Sequence, residues 1–238
     1  MTIRFDATGA IARIQRICDT LEIADPAEEP PALSPDEPGH PDYHHRQRVE
    51  HARRVLARVT PLRYRSATSD RPEVVAWVEA AVASWRSRAT SEPVPVPSLL
   101  LYGPTGTGKT FAGFGALRRV AEAGLPRFGA EFASWPELLA QLRPGSGEER
   151  EQGLRRLMDA PWLLLDDLGR AKDSAWTEEI LYRLVNHRYN VMLPTIITTN
   201  VPLKQFTAVF GDAPGGRLIE MTAGGRVAVT GEDRRLVR

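Results

Sequence analysis

The chain has 238 residues, enough for one α/β domain of ordinary size and a smaller appendage. Its 31 basic and 30 acidic residues leave a net charge of +1, so any contact with nucleic acid must come from a local patch. The single cysteine, Cys18, excludes an internal disulfide and a multi-cysteine zinc site. The sequence shows neither a signal peptide nor a membrane-spanning apolar run, so we expect a soluble, cytoplasmic protein.

The start of the chain is predicted to form a partner-binding arm, residues 1–60, ahead of a larger domain, residues 61–238. Residues 8–23 carry apolar side chains at near-helical spacing, which predicts a short amphipathic helix. The members of this apolar stripe are Ile11, Ile14, Ile17 and Leu21. Because the stripe is too small to be stable alone, the helix either packs on its own domain or docks on another protein.

Two segments of opposite charge follow this helix. Residues 24–43 contain six prolines, six acidic residues and no Lys or Arg, a composition that predicts an extended linker. Residues 44–71 contain eight arginines against two acidic residues, and a thin apolar seam predicts a helix over about residues 44–59 that ends before Pro61. The arginines of this helix either contact phosphates or neutralise the acidic linker.

A phosphate-binding loop opens the larger domain. The apolar run at residues 99–102 leads into Gly-x-x-x-x-Gly-Lys-Thr and then into a helix-forming stretch. The glycines let successive backbone amides surround a phosphate at the positive end of that helix. Lys109 is expected to reach the β- and γ-phosphates, and the Thr110 hydroxyl to bind Mg²⁺. The predicted nucleotide-binding residues are Gly103, Pro104, Thr105, Gly106, Thr107, Gly108, Lys109 and Thr110.

Polar residues end two further apolar runs. Residues 162–165 are continuously apolar, as in a strand buried on both faces of a parallel sheet, and they end in Asp166 and Asp167. The carboxyl ends of such strands are where α/β proteins bind ligands. Downstream of a P-loop, Asp166 is predicted to hold Mg²⁺, directly or through water, and Asp167 to orient and activate the attacking water. Asn200 follows another buried run and would hydrogen-bond that water and the γ-phosphate.

The hydrophobic pattern predicts a five-stranded, largely parallel sheet with helices on both faces. We expect an amphipathic helix over residues 72–88 after the arginine-rich segment. The five strands are expected near residues 98–102, 127–133, 162–166, 194–199 and 226–229.

The order of these motifs resembles the DnaC/IstB-like branch of the AAA+ ATPases, which includes bacterial and phage replicative helicase loaders. The resemblance covers about residues 61–238, whereas the preceding residues resemble no family. It is carried by the P-loop, Asp166-Asp167-Leu168-Gly169, Trp176…Arg188-Tyr189 and Pro194…Thr198-Thr199-Asn200.

The resemblance implies a P-loop AAA+ fold, a three-layer α/β sandwich with strand order 5-1-4-3-2. It implies that Gly103–Thr110 is Walker A, that Asp166 and Asp167 are the Walker B pair, and that Asn200 is sensor 1. Arg217 matches an arginine that acts in trans, as an arginine finger, in a homo-oligomer. The chain departs from the family at Ala213, where a first arginine is expected, and has the shorter aspartate where AAA+ proteins usually carry glutamate.

By the same resemblance, the protein is an ATPase that uses ATP and Mg²⁺ to load a replicative helicase onto single-stranded DNA. ATP binding would drive assembly and hydrolysis would drive release. An IstB-like helper that marks DNA for a transposase is the alternative within the family. The short Asp167 and Ala213 leave open a nucleotide-gated binding module with negligible turnover. A metabolite kinase would share only the P-loop and gives no reason for Asn200 and Arg217.

Overall fold

The computed structural model describes residues 33–35, 37–88, 94–142, 147–169 and 175–231. The chain divides into two compact units, Met1–Tyr43 and His44–Arg238. In the first unit, the amide of Ser34 donates to the Glu37 carboxylate at 2.9 Å, and the Glu37 amide donates back to the Ser34 carbonyl at 2.9 Å. The predicted helix over residues 8–23 lies outside the described residues.

The second unit is built on a five-stranded sheet in which every strand pair is parallel. The strands are β1 (Leu99–Tyr102), β2 (Ala130–Ser134), β3 (Trp162–Leu168), β4 (Thr195–Thr199) and β5 (Arg226–Ala228). Their order across the sheet is β2-β3-β4-β1-β5, which confirms the predicted order 5-1-4-3-2. The second strand begins at residue 130 rather than 127, because Arg127 has a φ of 54°, which an extended strand does not adopt.

Helices cover both faces of this sheet. They are α1 (Pro41–Val59), α2 (Pro72–Ser87), α3 (Lys109–Glu122), α4 (Trp135–Gln141), α5 (Gly147–Asp159), α6 (Ala175–Asn190), α7 (Phe206–Phe210) and α8 (Asp212–Met221). Alternate strand residues point to opposite faces. Leu99 and Leu101 join one apolar cluster with α2 and α3, whereas Leu100 joins a second cluster with α4 to α8. The predicted three-layer α/β architecture is therefore confirmed.

The arginine-rich helix α1 packs on the core of this second unit. Ala52 is fully buried, and Leu56 packs against the same apolar cluster as α2 and α3. Arg48 Nε donates to the Gly124 carbonyl at 2.7 Å. From the sequence alone, we assign this helix to the arm, residues 1–60. In the structure, its apolar seam packs against the core, and the second compact unit starts at His44. A partner-binding role for the arm stays a prediction.

The buried side chain of Arg188 connects several segments of the second unit through hydrogen bonds. Arg188 on α6 is 1% exposed, and burial lowers its pKa to about 9, so it remains charged at neutral pH. Its guanidinium donates to the Leu157, Met158, Ala160 and Pro194 carbonyls and to Thr195 Oγ1, at distances from 2.6 to 3.2 Å. These acceptors belong to the end of α5, the approach to β3 and the start of β4. Arg188 therefore fixes the spacing of three elements.

Within the described part of the chain, no helix combines the length and the apolar character needed to cross a membrane.

Candidate functional site

The phosphate loop lies between β1 and α3, at the carboxyl edge of the sheet. Gly108 has a φ of 91° and immediately precedes α3, a left-handed conformation that favours glycine at this position. Gly103 has a φ of 146°, and a Cβ there would clash with the carbonyl oxygen of Val229. The Val229 amide in turn donates to the Tyr102 carbonyl at 2.8 Å, next to β5. The loop is thus shaped by its glycines and bounded on one side by the chain after β5.

Lys109, the P-loop lysine, is buried at 6% exposure and held by three oxygen atoms. Its Nζ donates to the carbonyls of Gly103 and Pro104, at 2.9 and 2.6 Å. It also donates to Oδ1 of Asn200 at 2.6 Å. The structure therefore brings the predicted sensor residue at the end of β4 into direct contact with the predicted phosphate-binding lysine.

Asp166, near the end of β3, accepts hydrogen bonds from two threonines. Thr110 Oγ1 and Thr198 Oγ1 both donate to Asp166 Oδ1, at 2.8 and 2.6 Å. The side chain is buried, and this burial raises the pKa of Asp166 while the two hydroxyl donors partly offset the effect. The neighbouring carboxylate of Asp167 raises the pKa further, and Lys109 lowers it. A buried carboxylate beside a hydroxyl is a set of hard oxygen donors that fits Mg²⁺.

Asp167 lies where the pairing of β3 with β4 shifts its register between Leu165 and Leu168. Its φ is 55°, a left-handed conformation that is uncommon outside glycine. The backbone amide of Asp167 donates to Thr198 Oγ1 at 3.0 Å. The irregularity turns the backbone at the pair of aspartates, and Asp167 lines the same cleft as Asp166.

Thr198 is a site residue that sequence reasoning did not single out. It is fully buried in β4, and its one hydroxyl donates to Asp166 and accepts from the Asp167 amide. It therefore sets the positions of both aspartates at once. A threonine in a buried strand is ordinary, and only its hydrogen bonds with the two aspartates of β3 reveal this role.

A cleft of about 640 Å³ brings most of the predicted site residues together. The predicted residues that line it are Thr105, Gly106, Gly108, Lys109, Thr110, Asp166, Asp167 and Asn200. Arg63 and Tyr64, from a short 3₁₀ turn after α1, also line this cleft and were not predicted. A second cleft, of about 480 Å³, lies on another side of the loop and is lined by residues 68–72, Thr107 and Gly108.

Arg217 on α8 is not among the residues that line the first cleft, the one of about 640 Å³. Its guanidinium carbon is 5.5 Å from the ring centre of Tyr182 and 5.8 Å from that of Tyr189, both on α6. Tyr189 Oη donates to the Glu220 carboxylate at 2.7 Å, and this bond raises the pKa of Tyr189. The two aromatic rings thus hold the Arg217 guanidinium against α6. Its trans-acting role stays a prediction.

Residues 95–218, more than half of the chain, match the family model described as IstB-like ATP binding protein. The chain belongs to the IstB-like ATP-binding protein family. The description of this family includes ATP binding, so nucleotide binding is shown for the chain at the level of the family. The matched range contains the P-loop, both aspartates, Asn200 and Arg217. No curated protein matches this IstB-like chain.

Solved structures share the fold of this IstB-like chain. The crystal structure of the DnaC helicase loader is 24% identical, with a TM-score of 0.54 over 71% of this chain and 100% of that chain. The DnaI crystal structure is 22% identical, with a TM-score of 0.54 over 78% of this chain and 93% of that chain. Domain III of the Thermotoga maritima replication initiation protein DnaA is 16% identical, with a TM-score of 0.52 over 74% and 70%. These likenesses establish the AAA+ fold.

Proposed function

We propose that this IstB-like protein is an ATP-dependent loader that delivers a replicative DNA helicase to single-stranded DNA. The observation that carries the ATPase part of the proposal is the pair of contacts at the sheet edge, Lys109 with Asn200 and Thr110 with Asp166. Each contact joins the phosphate loop to a different strand end. Phosphate, cation and attacking water would therefore meet in one cleft.

Each residue has a chemical role in this proposal. The loop amides and Lys109 would bind the β- and γ-phosphates of ATP. Thr110 and Asp166 would hold Mg²⁺, which supplies charge neutralisation at the phosphates. Asp167 would accept a proton from the attacking water and orient it, and Asn200 would fix that water against the γ-phosphate. Arg217 would reach the γ-phosphate of a neighbouring copy in a homo-oligomer.

The hydrolytic part is tested in the full chain with two substitutions in the cleft and one control outside it. Lys109→Ala is expected to abolish nucleotide binding, because it removes the buried cation of the loop, whereas Lys204→Ala, at an exposed lysine outside the cleft, should bind normally. Asp167→Asn should bind ATP but hydrolyse it about 10²- to 10⁴-fold more slowly. Phosphate release and nucleotide titration measure both effects. Normal turnover in Lys109→Ala would contradict an ATPase at this cleft.

The partner is proposed from the AAA+ fold shared with the DnaC helicase loader and from the sequence of the arm. Ile14→Asp with Ile17→Asp places two charges in the predicted apolar stripe and should abolish capture of the replicative helicase. Arg13→Asp with Arg16→Asp places two aspartates between the stripe positions, with a larger change of net charge, and as a control should retain capture. Deletion of residues 1–43 should reproduce the loss and leave ATP binding unchanged. Equal capture by all variants would contradict a docking arm.

A transposition helper is the second candidate, and the match to the IstB-like family model favours it. Such a helper would use the same nucleotide cleft but act with a transposase on DNA. The two functions are distinguished by parallel pull-downs of a replicative helicase and a transposase, with and without ATP. ATP-dependent capture of the transposase alone would replace the loader proposal and leave the ATPase chemistry intact.

A further inference from the structure

A short turn after α1 is attached firmly to the P-loop helix. The turn spans Leu62–Tyr64, and the Tyr64 amide donates to the Pro61 carbonyl at 2.9 Å. The Tyr64 ring stacks on Phe114 of α3, with ring centres 5.0 Å apart and planes inclined by 16°. The Ala67 amide donates to the Tyr64 carbonyl at 2.9 Å, and Ala67 itself is fully buried. The turn is therefore fixed on both sides of Tyr64.

This fixed turn presents Arg63 to the nucleotide cleft. Arg63 is exposed, yet it lines the same cleft as Asp167 and Asn200. The cleft on the other side of the loop is lined instead by residues 68–72. Arg63 thus lies on the side of the loop where the proposed water-orienting residues are, which is where the γ-phosphate of ATP would be placed.

The charges of the cleft favour an additional phosphate ligand. Among the described residues that line it, Arg63 and Lys109 are cationic and Asp166 and Asp167 are anionic. Lys109 is shared among two carbonyls and Asn200. A triphosphate adds several negative charges to a cleft whose side chains are formally balanced. A guanidinium can bind two phosphate oxygens with parallel hydrogen bonds, which makes arginine well suited to this position.

We propose that Arg63 is a γ-phosphate ligand that acts in cis, from the subunit that binds the ATP. The proposal rests on nucleotide binding at the P-loop and adds a residue outside the matched family range. It also gives the cleft a means to distinguish ATP from ADP, because only ATP reaches the guanidinium. The turn that carries Arg63 directly follows α1, so the presence of a γ-phosphate would be sensed at the end of the arginine-rich helix.

The test compares ATP and ADP binding by the full chain in the presence of Mg²⁺, with fluorescent analogues of both nucleotides. Arg63→Ala should weaken ATP binding at least about tenfold and change ADP binding by less than about twofold, since a lost charge-assisted hydrogen bond has that effect. Arg63→Lys should recover part of the ATP affinity. Arg58→Ala, at an exposed arginine of α1 outside the cleft, should bind both nucleotides normally.

Two outcomes would overturn the proposal. One is unchanged ATP affinity in Arg63→Ala, and the other is an equal loss for ATP and ADP. A thermal unfolding midpoint of the nucleotide-free variant equal to that of the wild type shows that the fold is intact, and Arg63→Gln replaces the alanine variant if that midpoint falls. Lys109→Ala distinguishes a failure of the whole nucleotide site from a failure of the Arg63 proposal. If the wild type and Lys109→Ala bind ATP equally, the nucleotide site itself is contradicted. If Lys109→Ala loses ATP binding while Arg63→Ala retains it in full, only the role of Arg63 is contradicted.

Discussion

The side chains of Lys109 and Asn200 are joined by a hydrogen bond of 2.6 Å although 91 positions separate them in the chain. The bond connects the phosphate loop after β1 to the residue that follows β4, and these two strands are neighbours in the sheet. Asn200 is therefore placed both to hold the lysine and to face the cleft.

Substitution of Asn200 should separate binding from hydrolysis. Asn200→Ala leaves Lys109 its two carbonyl acceptors, so we expect ATP affinity to change little and hydrolysis to fall. Asn200→Asp should weaken ATP binding instead, because a carboxylate would pair with Lys109 and repel the triphosphate. Nucleotide titration and steady-state phosphate release measure the two effects. Similar turnover in the alanine variant and the wild type would exclude Asn200 from the chemistry.

Asp166→Asn should have opposite effects on the free and the nucleotide-bound protein. Burial raises the pKa of Asp166, which means that its ionised form is costly in the folded state. The amide can still accept both threonine hydroxyls, so the nucleotide-free variant should unfold at the same or a higher temperature. Its stabilisation by ATP with Mg²⁺ should be reduced.

Thermal unfolding with and without ATP and Mg²⁺ measures both parts of the Asp166 prediction. Glu179→Gln makes the same chemical change at an exposed position on α6 and should leave both midpoints unaltered. A lower midpoint for the free Asp166→Asn protein, or a full stabilisation by nucleotide, would contradict the expectation.

Thr198→Val should disturb both aspartates through one lost hydroxyl. The variant leaves the part-buried Asp167 amide without its acceptor and removes a donor from Asp166, so we expect a loss of about 1–3 kcal/mol in stability and slower hydrolysis. Thr198→Ser keeps the hydroxyl and should retain most of the activity. Urea unfolding and ATPase rates measure the effects, and an active valine variant would show that the hydroxyl is dispensable.

Arg188→Met should destabilise the fold more than any substitution above. It leaves several buried carbonyls without their donor, for which we expect a loss of about 3 kcal/mol or more. Arg188→Lys keeps the charge but offers fewer donors, so an intermediate loss is expected. The free energy of unfolding in urea gives the order. A methionine variant as stable as the wild type would mean that apolar packing can replace the hydrogen bonds of Arg188.

The sheet and the phosphate loop could be predicted from the sequence because their causes are local. The apolar run at Leu99–Tyr102 reflects burial on both faces, and Gly108 precedes α3 in a backbone conformation that glycine favours. The order of the strands came from a family resemblance, since no local pattern in the chain specifies which strands are neighbours. The structure confirms that order.

The remaining parts of the site depend on contacts between distant segments. Thr198 acts through β3, which precedes it by 31 and 32 positions, and Arg63 reaches the cleft only because Tyr64 stacks on α3. The burial of Lys109 likewise follows from carbonyls of its own loop and from the end of β4. Neither Thr198 nor Arg63 stands out as a site residue by type or by spacing, and the contacts of Lys109 are not visible in the motif that identifies it.

The close approach of Gly103 to Val229 has a mechanical consequence. The carbonyl of Val229 occupies the space behind the first glycine of the phosphate loop, and its amide is bonded to Tyr102 at the end of β1. The chain after the three-residue strand β5 therefore fills the space on this side of the loop. Because Gly103 has no room toward Val229, any adjustment of the loop to a phosphate would be directed away from β5, which lies at the edge of the sheet.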